Sequence, residues 1–295
     1  MQLFNKLAKN VGVIKKYLPF IKAGFCDLSL GVKYIWREEF VCEYLELNET
    51  LILKEKTREY QNAFYFPIGK DVQGALDFID DFAKENGITL TFCCLSKEQA
   101  DFLEKRYKNV EIFYNRNWSD YFYDAQSFAF YAGKKYSGQR NHVNKFKSLY
   151  PNFIYKRIKK EDIPKIKSFM LEYESGKTLD FWIEKEEQKQ LLEYLHKLNE
   201  LGQVGACIYV EDKIAGITIG EVVNETLIVH VEKALKDYKG VYPTLAQAFS
   251  KDVLESFSIK LINREEDCGD MGLRTSKTQY HPTDIKHKYF LTIKN

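Results

Sequence analysis

The sequence predicts an α+β protein built from two tandem units, each with a mixed central sheet. Three observations carry this. A length of 295 residues favours two domains. An apolar fraction of 45% supplies ordinary globular cores. One order of elements also occurs twice: a hairpin, a strand, a loop, a helix and a further strand. The units are expected at residues 1–134 and 135–295, with the candidate site in the second.

The elements follow in chain order. The start, "MQLFNKLAKNVGVIKKYLPFIKAGF", is basic, with Leu3, Leu7, Val11 and Ile14 at helical spacing. Lysines interrupt it, so it holds no signal-peptide apolar block. It predicts a surface helix packed on the first unit, with membrane-surface attachment as the alternative. "FVCEYLELNETLILKEK" predicts a hairpin turning near Asn48. "AFYFPIGKDVQGALDFIDDFAKENG" is a strand, a Pro-Gly loop and a helix. Ala75, Phe78, Ile79 and Phe82 recur at the helical period, and Gly87 stops it. "ITLTFCCL" is a strand, and "SKEQADFLEKRY" a helix capped by Ser96.

A helix is expected from about Ser137 to Leu149, with Val143, Phe146 and Tyr150 on one face. In the second unit, "GACIYVEDKIAGITIGEVV" reads as two strands around a turn at Glu211 to Lys213. "ETLIVHVEKAL" is a third strand. "KDYKGVYPTLAQAFSKDVLESF" is a loop and a helix, with Pro243 in its first turn. "IKLINREED" is a strand running into four charges, and Gly, Arg, Lys, Tyr and His follow.

Charge is distributed unevenly. The net charge is +2, yet Ala125 to Lys160 holds nine Lys or Arg and no acid. Such a region, here 134–160, suits an anionic partner: tRNA or other RNA, an anionic lipid surface, or a phosphorylated ligand. A solvated basic helix face is the bland alternative. No apolar run approaches the ~18–20 residues that cross a bilayer. The six cysteines form no CxxC pair and no metal-ligand spacing, which fits a reducing cytoplasm and no metal. No histidine is predicted beside Cys268, which argues against a nucleophile there. The five histidines are scattered, and His230, inside a strand, reads as a satisfied core residue.

The strand, loop, helix and strand order resembles the GNAT acyltransferase fold. In that fold the fourth and fifth strands splay apart around the acyl donor. Its loop after the fourth strand is glycine-rich and binds pyrophosphate. Here "LKDYKGVYP" has Gly240 alone, which argues against CoA as cofactor while leaving Lys236 and Lys239 for a phosphate. Four separated motifs, "CDLSLGVKYIWREEF", "YFPIGKD", "GKKYSGQRNHVNKF" and "NREEDCGDMGLRTSKTQYHP", resemble the phosphatidylglycerol lysyltransferase C-terminal domain family over essentially the whole chain. The resemblance implies a tandem GNAT-like fold similar to Fem-type peptidyltransferases. It implies aminoacyl transfer from aminoacyl-tRNA to a lipid or peptide acceptor, with no further cofactor.

These readings place the site after "IKLIN", at the mouth of the second unit's gap. Glu265 and Asp267 stand where an attacking amine or hydroxyl loses its proton, and strand alternation would put them on one face. Tyr280 could protonate a leaving group. Arg274 and Lys277 could bind phosphate or a developing oxyanion. Glu232, Lys239 and Tyr242 close the gap from the fourth strand and its loop. Lys135, Arg140 and Asn144 would present the basic face to the donor. Three functions stay open: an aminoacyl or acyl transferase, a non-catalytic binder of RNA or an anionic ligand, and a CoA-dependent N-acyltransferase. A structural ion-pair network after the strand is the alternative to any site.

Overall fold

The computed structural model describes residues 4–56, 62–175 and 182–294. The chain divides into two compact units. The first holds Met1–Asp120, Glu266–Asp270 and Ile285–Asn295; the second holds Tyr121–Glu265 and Met271–Asp284. The expected boundary lay after residue 134. The first unit instead closes earlier and recovers two short C-terminal segments.

The first unit is built on β1 (Asn5–Lys6), β2 (Val41–Leu47), β3 (Thr50–Lys56), β4 (Ala63–Phe64), β5 (Ile68–Gly69), β6 (Thr91–Leu95), β7 (Val110–Tyr114) and the C-terminal β15 (Tyr289–Ile293). Their order is β1-β2-β3-β4-β6-β15-β7, with β5 against β3. Among the described residues of this unit only β4 and β6 pair in parallel; β15 is antiparallel to both its neighbours. The β2–β3 turn has positive φ at Asn48 and Glu49, the twist that suits a two-residue hairpin.

Alternation along β3 sends Ile52 to one face and Leu51 and Leu53 to the other. Helix α2 (Val72–Glu85) covers the Ile52 face through Ala75, Leu76 and Ile79, and α3 (Lys97–Arg106) through Ala100 and Leu103. Asp71 caps α2 by accepting from the Gly74 N–H, and Ser96 and Gln99 form a capping box on α3. The other face is covered by the N-terminal segment, where Leu7, Ile14 and Tyr17 are buried. That segment forms 3-10 helices over Leu7–Lys9 and Val11–Phe20, followed by the short α1 (Leu30–Ile35). Its apolar positions pack as the spacing required; Leu3 lies outside the described residues.

The second sheet is ordered β14-β8-β13-β12-β11-β10-β9. Its strands are β8 (Asp120–Asp124), β9 (Ile154–Arg157), β10 (Val204–Val210), β11 (Lys213–Val223), β12 (Thr226–Ala234), β13 (Leu261–Asn263) and β14 (Asp284–Lys286). Here β12 and β13 pair in parallel, and the connection between them is helix α8 (Val241–Ser256). Helix α4 (Ala125–Phe130) precedes α5 (Ser137–Leu149), which matches the expected bounds. Phe146 of α5 and Leu245 of α8 share one core with Ile208, Ala215 and Ala234. Helices α6 (Ile163–Ser175), α7 (Trp182–Lys197) and α9 (Met271–Thr278) were not anticipated. Among the described residues no helix is long and apolar enough to cross a membrane.

Candidate functional site

The site begins where two strands part. β12 and β13 pair only through Thr226–Leu261, Leu227–Ile262 and Ile228–Asn263. β12 then continues against β11 to Ala234, while β13 ends at Asn263. A bulge falls at the parting: Ile219 pairs Val231, Gly220 pairs Val229, and His230 has no cross-strand partner. An extra residue in one strand re-aims its side chain and increases the local twist. On the other side Glu265 turns the chain with φ 56°, and its N–H donates to the buried Asn263 Oδ1 at 2.8 Å.

Two ion pairs span the parting. His230 Nδ1 lies 2.6 Å from Glu265 Oε1, and Nε2 lies 3.1 Å from Glu221 Oε1. The ring is 1% exposed. Burial alone would lower its pKa, but the hydrogen bonds to Glu221 and Glu265 outweigh that and raise it to about 9. At neutral pH it is an imidazolium, with both nitrogens donating.

Beside it Arg264 Nη2 donates to Glu232 Oε1 at 2.6 Å. The guanidinium lies 4.6 Å from the Tyr280 ring centre and 5.6 Å from that of Phe128, a stacked aromatic pair. Burial disfavours its charge, and Glu232 more than restores it. Burial also pushes the Tyr280 hydroxyl up to about 12, so it stays protonated. Lys277 Nζ donates to the Arg264 carbonyl at 2.6 Å, and Tyr123 donates to the Lys277 carbonyl at 2.8 Å.

The expected residues therefore separate. Glu232, Glu265, Tyr280 and Lys277 come together in the second unit. Asp267 belongs to the first unit, where it is fully buried and accepts from Arg116 Nη1 at 3.2 Å and the Gly269 N–H at 2.9 Å. The predicted sharing of a face by Glu265 and Asp267 does not arise, because β13 stops at Asn263 and Glu265 is left-handed. Each charge in "REED" has its own partner: Glu232, His230, Lys288 and Arg116 in turn. Arg274 lies in α9.

Lys239 is exposed in the loop before α8, and Tyr242 hydrogen-bonds Tyr173. Gly240 has φ +90°, and a Cβ there would lie 2.3 Å from the His142 carbonyl of α5. Helix packing, rather than a phosphate, accounts for this glycine. Arg140 is likewise committed: Nη1 donates to the carbonyls of Tyr131 and Gly133, capping α4. Arg157 pairs with Asp252 and Lys156 with Asp162. Lys134, Lys135, Lys145, Lys147 and Asn144 remain exposed.

Two residues that sequence reasoning passed over belong to this gap, Arg264 and Glu221, while His230, expected as a satisfied core residue, is buried and bonded at both nitrogens. The signal for His230 was present, since a histidine in a long apolar strand needs a buried partner. The first unit holds another unforeseen cluster. Lys288 Nζ meets Asp27 at 2.5 Å, Asp120 at 2.8 Å, Cys26 Sγ at 3.3 Å, and Glu266. Cys26, Asp27, Asp120 and Glu266 are close enough to ligate a metal, but the Lys288 ammonium already supplies the cation they surround. Burial, ahead of its charged neighbours, raises the pKa of Glu266.

Two parallel-paired strands that part beside a connecting helix, repeated in two mixed sheets, define a tandem GNAT-like fold. The family model described as phosphatidylglycerol lysyltransferase, C-terminal, matches residues 20–292, and the chain belongs to that family. A conserved protein of unknown function from Bacteroides thetaiotaomicron is similar over 100% of both chains, at 28% identity and a TM-score of 0.90. L-PGS from Bacillus licheniformis matches 100% of this chain and 95% of its own at 15% identity and a TM-score of 0.70. FemX matches 100% and 97% at 9% identity and a TM-score of 0.62. No curated protein matches the sequence.

Proposed function

We propose that this protein is an aminoacyltransferase that moves an aminoacyl group from an aminoacyl-tRNA-like donor to an amine or hydroxyl, in the gap between β12 and β13. Family membership supports the reaction class. One observation supports the place: three carboxylates, Glu221, Glu232 and Glu265, gather there around His230 and Arg264. A carboxylate-rich site of this kind suits the ammonium of an aminoacyl group.

In this reading the acceptor attacks the ester carbon and loses its proton to Glu265. The carbon–oxygen bond to the ribose breaks, and that oxygen takes a proton from the His230 imidazolium or Tyr280. Glu232 holds the ammonium. Asp267 and Lys277 position the turn rather than touch substrate. The exposed lysines of 134–147 would meet the nucleic acid backbone, whose binding falls with salt. The packing role of Gly240 weakens the CoA-dependent alternative.

The test is discharge of total aminoacyl-tRNA by the full chain, with lipid and peptide acceptors supplied separately. At least one aminoacyl ester should be lost faster than by hydrolysis, with a matching product. Glu232→Gln should slow this by about tenfold to a thousandfold, as loss of one preorganised charged contact does. Absence of any discharge by the wild type, or full activity of Glu232→Gln, would remove the proposal.

A further inference from the structure

Among the described residues, three buried side-chain polar atoms lack a hydrogen-bond partner: Arg106 Nε, Thr218 Oγ1 and Arg264 Nη1. Two of the three converge on one residue. Thr218 is the cross-strand neighbour of Glu232, and Arg264 is its ion-pair partner. Directly opposed residues in an antiparallel pair share a face, with Cβ atoms about 4.5–5.5 Å apart. Thr218 is fully buried, and the Arg264 side chain is 10% exposed. Leaving a buried donor unmade costs roughly 1–3 kcal/mol, so two beside one carboxylate call for an explanation.

We infer that Thr218 Oγ1 and Arg264 Nη1 together receive the carbonyl oxygen of the aminoacyl group whose ammonium pairs with Glu232. Arg264 Nη1 can only donate and the Thr218 hydroxyl can donate, so one acceptor oxygen satisfies both. The adjacent carboxylate recognises a cation. An ammonium one carbon away from a carbonyl carries both features, and it is the common element of every α-aminoacyl ester or amide. Recognition here reads the shared backbone of the amino acid and leaves its side chain to other residues. During transfer the same donors face the oxygen on which negative charge develops. The inference rests on the aminoacyl-transfer reading and adds the two residues that bind the reacting carbonyl.

The test uses the full chain and a panel of amino acid amides, each compared by calorimetry with the amine lacking the carboxamide. Wild type should bind at least one amide about tenfold or more tighter than its amine, since two buried donors are otherwise left unpaired. Thr218→Val replaces an unpaired hydroxyl with a methyl, so its Tm should equal or exceed that of wild type. Its preference for amide over amine should fall about threefold or more, the share of one hydrogen bond. Arg264→Lys should lower the preference further. Equal binding of amide and amine by wild type, including no binding of either, overturns the inference. So does an unchanged preference in Thr218→Val, the result expected if the two donors merely hold water. Transfer that persists while the preference is absent would sink this inference alone. A preference without transfer would sink the wider reading and leave the subsite.

Discussion

His230 is held by two carboxylates at a point where the β11–β12 ladder loses register. Its raised pKa makes it a pH-dependent clasp. A folded-state pKa of about 9 against an ordinary 6.5 means that its stabilising contribution is fully present below 6.5. It is lost as pH rises through 9. His230→Gln can keep a hydrogen bond to Glu221 or Glu265 but cannot titrate. The Tm of wild type should therefore fall more than that of the variant between pH 6.5 and 9. Parallel curves would mean a neutral imidazole and a different charge balance in the gap. At this scale the sequence was partly legible. Glu232 and Glu265 stood out as acids flanking apolar strands. Arg264 was hidden inside "REED", because adjacent charges reveal nothing of their separate partners. The Lys288 cluster was illegible for a stronger reason. Its residues come from positions 26, 27, 120, 266 and 288, and only the fold brings them together.

Elements with a clean period and a clear cap were readable. Helices α2 and α3 appear where apolar spacing and capping residues put them, and α5 and α8, which lack a side-chain cap, where apolar spacing alone does. Helix α7 escaped because charged residues are interleaved along "EKEEQKQLLEYLHK", which blurs the apolar stripe. The loop before α8 shows how a motif can mislead. Gly240 resembles the remnant of a phosphate-binding loop, yet its φ of +90° and the nearby His142 carbonyl require glycine for packing. Gly240→Ala should destabilise the protein by about 1–3 kcal/mol from the backbone conformation alone, and more from the clash. Urea unfolding measures this. A loss below about 0.5 kcal/mol, the range of an ordinary surface substitution, would show that α5 does not press on the loop as described.

At the scale of the whole chain, the two units repeat one plan, and the repeat was visible in the order of elements. Their boundaries were not. β15 lies between β6 and β7, and β8 lies against β13, so each sheet includes a strand distant in sequence from its neighbours. Hydrophobic alternation marks a strand but does not name its partner. Both units contain a parallel pair that parts, so the fold alone offers two places for a ligand. Chemistry distinguishes them: the second gap combines three clustered carboxylates with the unpaired polar atoms Thr218 Oγ1 and Arg264 Nη1. The first holds Lys33 against Glu55 and Tyr65, a closed set of buried partners. The most direct measurement is a crystal structure of the protein with a non-hydrolysable aminoacyl-adenosine, its ester replaced by an amide. The account predicts the aminoacyl group between β12 and β13, its ammonium on Glu232 and its carbonyl oxygen on Thr218 and Arg264. An aminoacyl group bound in the first unit, with the second gap unchanged, would contradict it.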